Sequence, residues 1–160
     1  EDAQSEAFFD ACIFAGGSSA DCTAVTETAP ACAQCLLSDE GATAFGPMTL
    51  YRSQSLIYEN PGQCISEIEG DKTSASCGAK VYAALACGIA ACSSCVGMAF
   101  SVLLDCFAAA KDGDCSSFYA EGDACTAELK TQGLPIEPCL DDGSNFNAYL
   151  LALGKLGCGP

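Results

Sequence analysis

The sequence predicts an all-α protein, a disulfide-rich bundle of seven to nine short helices built from a degenerate internal duplication. Three observations lead there. Fourteen cysteines are spread from Cys12 to Cys158, apolar residues recur at helical spacing, and Pro, Gly and capping residues bracket segments of helix length. Half of the residues are apolar, but Ala and Cys supply much of that share, so the interior is expected to consist of closely approaching helices braced by cross-links.

Taken in order, Ser5 opens a first helix that stops at Gly16-Gly17, and Pro30 starts a helix with Cys32 in its first turn. The segment Gly41 to Asn60, with Phe45, Pro47, Met48 and Tyr51, reads as a loop followed by a short helix. Asn60 as N-cap, Pro61 at the first helical position and Gly70 just past the end bracket the next helix. From Val81 to Leu104 the chain runs 24 residues without a charge. That length would span a bilayer, but Cys87, Cys92, Cys95, Ser93-Ser94, Gly88 and Gly97 interrupt it, so a buried central helix is expected and a membrane span is disfavoured. Val96, Phe100, Leu103, Leu104 and Phe107 make the strongest apolar stripe, on a helix ending near Lys111 and Gly113. Asp123 and Gly133 bracket a further helix, and Ser144 opens a last one, with Phe146, Tyr149, Leu150, Leu153 and Leu156 in phase, that stops at Gly157. β-Branched residues are sparse and no turn dipeptide sits between alternating runs, so no strand is predicted.

The duplication rests on spacing. Cys12-x9-Cys22, Cys32-x2-Cys35, Cys64 and Cys77 are followed by Cys77-x9-Cys87, Cys92-x2-Cys95, Cys125 and Cys139. Tyr58-x5-Cys64-Ile65-Ser66-Glu67-Ile68 aligns with Tyr119-x5-Cys125-Thr126-Ala127-Glu128-Leu129. The expected organisation is one domain over 1–160, with repeat halves at about 12–76 and 77–138 and a C-terminal helical segment at 139–160. The first half holds five cysteines, an odd number, so full oxidation requires bridges that leave it. Cys106 and Cys115 flank the turn Asp112-Gly113-Asp114 and are expected to pair with each other. On a continuous central helix Cys95 and Cys106 would stand about 16 Å apart along the axis, too far to pair.

All fourteen cysteines (Cys12, Cys22, Cys32, Cys35, Cys64, Cys77, Cys87, Cys92, Cys95, Cys106, Cys115, Cys125, Cys139 and Cys158) are read as disulfide-forming, and an oxidising, extracellular location follows. The chain opens on Glu1 without a basic-then-apolar leader, which fits a processed, secreted form, and it has no Asn-x-Ser/Thr sequon.

Net charge is −15, with Arg52 and five lysines as the only cations, so nucleic acid and anionic membranes are poor partners. Without histidine, imidazole-dependent catalysis and metal ligation are excluded. A redox dithiol or a four-cysteine zinc site at Cys32-x2-Cys35 and Cys92-x2-Cys95 is outweighed by a structural role for the same residues. Glu67 and Glu128 read as acids near helix N-termini. Asp112, Asp114, Asp141 and Asp142 lie in glycine-containing turns that lack the full calcium-loop pattern. No cofactor, metal or catalytic residue is expected. The function these readings support is a secreted, non-enzymatic structural or interaction protein, a building block of an extracellular layer, filament or matrix whose partners are its own copies or other extracellular proteins. The alternative is a carrier of a lipid or other apolar ligand, lined by Val96, Met98, Phe100, Leu103, Leu104 and Phe107.

Overall fold

The computed structural model describes residues 2–14, 19–40, 42, 46–52, 56–141 and 145–158, with residues 2, 19 and 100 described by backbone alone. The chain forms two compact units, one of Glu1–Asn60 with Glu137–Pro160 and the other of Pro61–Ile136. The expected repeat halves do not coincide with them, because segment 61–76 folds with 77–136.

The Pro61–Ile136 unit is helical throughout: α4 at Pro61–Glu69, α5 at Cys77–Ala91, α6 at Phe100–Asp112 and α7 at Ser116–Thr131 follow three helices of the other unit. Sequence punctuation sets α4 as expected, with Pro61 at its first position and Gly70 just after its end at φ 73°. Ser76 caps α5, its Oγ accepting from the Ala79 N–H at 3.1 Å. Small residues let the helices close up. A Cβ on Gly62 would collide with the Gly78 carbonyl, and one on Gly78 with the Gly62 carbonyl and Ser66 Oγ, so α4 and α5 meet backbone to backbone.

Two corrections concern this unit. The uncharged stretch is not one helix: α5 ends at Ala91, a 3-10 turn occupies Ser93–Cys95, and Gly97 at φ 84° turns the chain into α6. No helix among the described residues is long and apolar enough to cross a membrane. α7 begins at Ser116, so Asp123 lies inside the helix instead of opening it, while Gly133 follows its end at φ 81° as expected.

The other unit contains α1 at Asp2–Cys12, α2 at Ser19–Thr28, α3 at Pro30–Leu36 and, from the far end of the chain, α8 at Phe146–Cys158. Asn145 opens α8, its Oδ1 accepting from the Ala148 N–H at 3.1 Å; Ser144, Gly16, Gly17 and Phe45 lie outside the described residues. Phe8, Phe9, Leu36, Met48, Leu150 and Leu153 make the core, each at most 2% exposed.

Helix dominates as predicted, with eight α-helices among the described residues, but the stretch expected to be a loop and short helix supplies two strands of a small sheet, whose first strand lies just before it. Its strands are β1 at Leu37–Asp39, β2 at Met48–Tyr51 and β3 at Leu56–Glu59, in the order β1-β2-β3. β1 and β2 are parallel with Ser38 opposite Thr49, and β2 and β3 are antiparallel with Thr49 opposite Tyr58. The strands are too short to show an alternating pattern, and a few good strand formers (Thr49, Tyr51, Ile57, Tyr58) are all the signal they carry. Polar groups fix the ends: Ser38 Oγ accepts from the Gly46 N–H at 2.9 Å, and Asn60 donates from Nδ2 to the Gly46 carbonyl at 3.2 Å and from its backbone to Pro47 at 2.7 Å.

Candidate functional site

The cysteines define the chemistry. Each unit has its own bridges: Cys12–Cys22 and Cys35–Cys158 in the unit of the chain ends, and Cys77–Cys125, Cys87–Cys115 and Cys92–Cys106 in the other. Cα separations of 4.7 to 5.8 Å fit unforced bridging. Cys64 and Cys139 are oxidised too, whereas Cys32 and Cys95 are free thiols. The expectation that every cysteine is bridged is therefore corrected at those two positions.

The pairing of Cys106 with Cys115 is also corrected. They flank a tight turn, but Cys106 on α6 bridges to Cys92, just past the end of α5, and Cys115, just before α7, bridges to Cys87 within α5. The break after Ala91 makes the Cys92–Cys106 bridge reachable, by folding α6 back against α5. Both bridges sit in one small core of Cys92, Ala110 and Cys115, onto which Leu103, Phe107 and Tyr119 pack.

This pattern decides what the Cys-x2-Cys motifs are. In each, one cysteine is consumed in a bridge to a distant residue and the other is left over: Cys35 binds Cys158 beside free Cys32, and Cys92 binds Cys106 beside free Cys95. Neither motif is a paired dithiol. Among the described residues no group of three or more acidic or cysteine side chains is placed to hold a metal ion.

The two thiols have different surroundings. Cys32, half-buried on α3, lies 4.0 Å from Ser5 Oγ, and Ser5 belongs to a cleft of about 210 Å³ between α1 and α8 lined also by Glu6, Leu151, Ala152 and Lys155. Cys95, also half-buried, stands at the corner between α5 and α6, followed by half-buried Val96 and exposed Gly97, Met98 and Ala99. Met98 is 59% exposed, Val102 40% and Leu104 49%. At 100° per residue Val102 and Leu104 lie about 160° apart around α6, on opposite shoulders of its exposed face.

The six residues expected to line an apolar cavity are accordingly divided. Leu103 and Phe107 pack into the bridged core, Val96 is half-buried, Met98 and Leu104 face solvent, and the side chain of Phe100 lies outside the described set. The five that are described do not turn toward one enclosed space.

The carboxylates are also redistributed. Glu67 and Glu128 sit toward the C-terminal ends of α4 and α7, not the N-terminal ends, and Glu67 meets Lys72 Nζ at 2.6 Å while Glu128 accepts from Gln132 Nε2 at 3.2 Å. Asp112 and Asp114 are exposed, and Asp142 lies outside the described residues. The group that sequence reasoning missed is Glu59, the last residue of β3. Burial pushes its carboxyl up to about 7, its own backbone N–H pulls the other way, and the charge of Asp141 adds to the rise. Tyr149 on α8 is driven well above the ordinary phenol range by burial and then by the charges of Glu59 and Asp141. No sequence pattern marks Glu59, because its neighbours arrive from far along the chain.

No known family model matches this sequence, and comparison with curated proteins and with solved structures found no match to either.

Proposed function

We propose that the chain is a secreted, non-enzymatic structural or interaction protein, a building block that associates with its own copies or with other extracellular proteins in a surface layer, filament or matrix. The observation that carries this reading is the bridge pattern: twelve of fourteen cysteines are oxidised, and each unit holds bridges of its own. Such bracing restricts the unfolded chain and persists outside a reducing compartment. A framework of this kind suits a rigid part better than a catalyst, and a sequence without histidine has few groups for acid–base work at neutral pH. The carrier role has no comparable support, since its expected lining residues do not converge.

A charge of −15 opposes self-association until it is screened. Raising ionic strength from about 0.01 M to about 1 M shortens the screening length from about 30 Å to about 3 Å. Sedimentation velocity over that range, with and without Ca²⁺, is expected to show mass increasing with salt. A monomer under every condition defeats self-association and leaves only the reading in which the partner is another extracellular protein. Cell fractionation tests the location: the protein should be found outside the cell with two free thiols per chain.

A further inference from the structure

We infer that Cys32 is a resolving thiol for the Cys35–Cys158 bridge: its sulfur displaces Cys158, leaves a Cys32–Cys35 disulfide on α3 and unfastens the C-terminal end of α8. The inference rests on the bridge pattern and does not depend on self-association.

Three sulfurs of one unit take part. Cys32 is a free thiol three residues before Cys35 on the same helix, and Cys35 is bound to Cys158 of α8. All three residues are half-buried, so neither the nucleophile nor the bond it attacks is sealed in the core. In an α-helix, Cα atoms three residues apart stand about 5 Å from each other, inside the range of about 4.4 to 6.8 Å over which a disulfide closes. Their Cβ atoms, at about 5 to 6 Å, must draw in to about 4 Å. α3 allows that adjustment at the end that carries Cys32. The helix has seven residues, and Ala29 at its N-cap position offers no side-chain hydrogen bond to hold the first turn. The long bridge is therefore the resting state, and the exchanged state is reached when the first turn of α3 or the last turn of α8 loosens.

Packing says which part of α8 the bridge holds. Leu150 and Leu153 are fully buried, whereas Lys155 and Leu156 are exposed and Gly157 and Cys158 half-buried. Loss of the bridge thus frees the last turn first, while Leu150 and Leu153 keep the preceding turns in the core.

The step needs no oxidant. The Cys32 thiolate attacks Cys35 Sγ in line with the S–S bond; the Cys32–Cys35 bond forms, the Cys35–Cys158 bond breaks, and Cys158 leaves as a thiolate that takes a proton from water to replace the one Cys32 gave up. One thiol and one disulfide are present before and after.

The second Cys-x2-Cys motif is the internal control. Cys95 lies three residues past Cys92, which is bound to Cys106, but Cys92 is wholly buried in a core with Ala110 and Cys115. Its backbone is held on both sides, the N–H donating to the Gly88 carbonyl and the carbonyl accepting from the Cys95 N–H, each at 2.9 Å. The same spacing therefore brings no thiolate onto that sulfur.

The test holds the full oxidised chain in mildly alkaline buffer with urea below the unfolding midpoint, quenches with N-ethylmaleimide, and maps the unreduced peptides by mass spectrometry. Label is expected to move from Cys32 to Cys158 while a peptide closed by Cys32–Cys35 appears, about tenfold or more faster than Cys158 becomes labelled in Cys32→Ser, which removes no bridge. Cys95→Ser should leave the rate unchanged, and Cys92 and Cys106 should stay unlabelled. Without urea, oxidised glutathione should close Cys32 to Cys35 in Cys158→Ser but form no Cys92–Cys95 link in Cys106→Ser. Label that stays on Cys32, a Cys32–Cys158 bond with Cys35 free, equal labelling of Cys158 in Cys32→Ser, or exchange at Cys92 at the same rate overturns the inference.

Discussion

The Pro61–Ile136 unit and the unit made by the two chain ends reach order by different means. The first has helices in close backbone contact through Gly62 and Gly78, three bridges spanning 14, 28 and 48 residues, and a core in which cystine sulfur packs with Leu103, Phe107 and Tyr119. The second has an aromatic and aliphatic core around Phe8, Phe9, Leu36, Leu150 and Leu153, a small sheet, and a bridge that ties Cys35 to Cys158 across 123 residues. Short bridges reinforce contacts that neighbouring helices make anyway. The long one fastens a helix that chain connectivity alone would leave to find its place.

That contrast predicts unequal losses. Closing a loop of 123 residues removes about 5 kcal/mol of unfolded-state entropy, against about 3 kcal/mol for 14, both as upper limits because other bridges already shorten the path. Replacing Cys35 and Cys158 together by Ser should therefore destabilise more than replacing Cys92 and Cys106, and should release α8 first. Urea denaturation followed by amide exchange in 146–158 checks it. Equal losses for the two pairs would mean that the bridges act in the folded state, not on the unfolded chain.

The units should also respond oppositely to pH. Glu59, in the unit of the chain ends, has a folded value near 7 against an ordinary value of 4.5. Its contribution to stability is complete below 4.5, declines as pH rises from 4.5 to 7, and is gone above 7, for a change of about 3 kcal/mol. Asp71, in the helical unit, is lowered from 3.8 by hydrogen bonds from the Thr73 backbone N–H and then the Thr73 side chain, so its small contribution is present at neutral pH and lost below that value. Stability measured from pH 4 to pH 8 should fall in wild type and fall less in Glu59→Gln. Identical profiles would assign the whole slope to relief of the general negative charge.

Legibility from sequence followed the same division. α4 could be placed from Pro61 and Gly70, and the end of α7 from Gly133, because local backbone chemistry acts within a few residues. Leu103 and Phe107 were in phase on a real helix and do reach a core. The strands were missed because four residues such as Met48–Tyr51 show no period, and β1 finds its partners eleven residues further along the chain. The thiols at Cys32 and Cys95 could not be told from their bridged partners: a Cys-x2-Cys spacing is the same whether or not both sulfurs are consumed, and only the reach of α6 and α8 decides which one is.

The smallest predicted effect separates backbone contact from side-chain contact. In a helix, Gly→Ala should gain about 1 kcal/mol from propensity unless the new methyl has no room. At Gly78 the methyl would run into the Gly62 carbonyl and Ser66 Oγ and would stand 2.8 Å from the Ser66 nitrogen, and backbone groups cannot rotate away. At Gly154 on α8 it would meet Phe9 Cε2 at 3.0 Å and Leu36 Cδ2 at 3.1 Å, both ends of side chains that can shift by a few tenths of an ångström. Overpacking costs of about 1 to 3 kcal/mol should then leave Gly78→Ala destabilised by about 1 kcal/mol, whereas at Gly154 gain and cost nearly cancel. Gly122→Ala, with its nearest neighbour Val81 at an ordinary 3.6 Å, should be stabilising and serves as the reference. Urea midpoints in the order Gly122→Ala, Gly154→Ala, Gly78→Ala from highest to lowest are expected. If Gly78→Ala equals Gly122→Ala, α4 and α5 are not held at backbone distance, and the helical unit owes its closeness to its bridges alone.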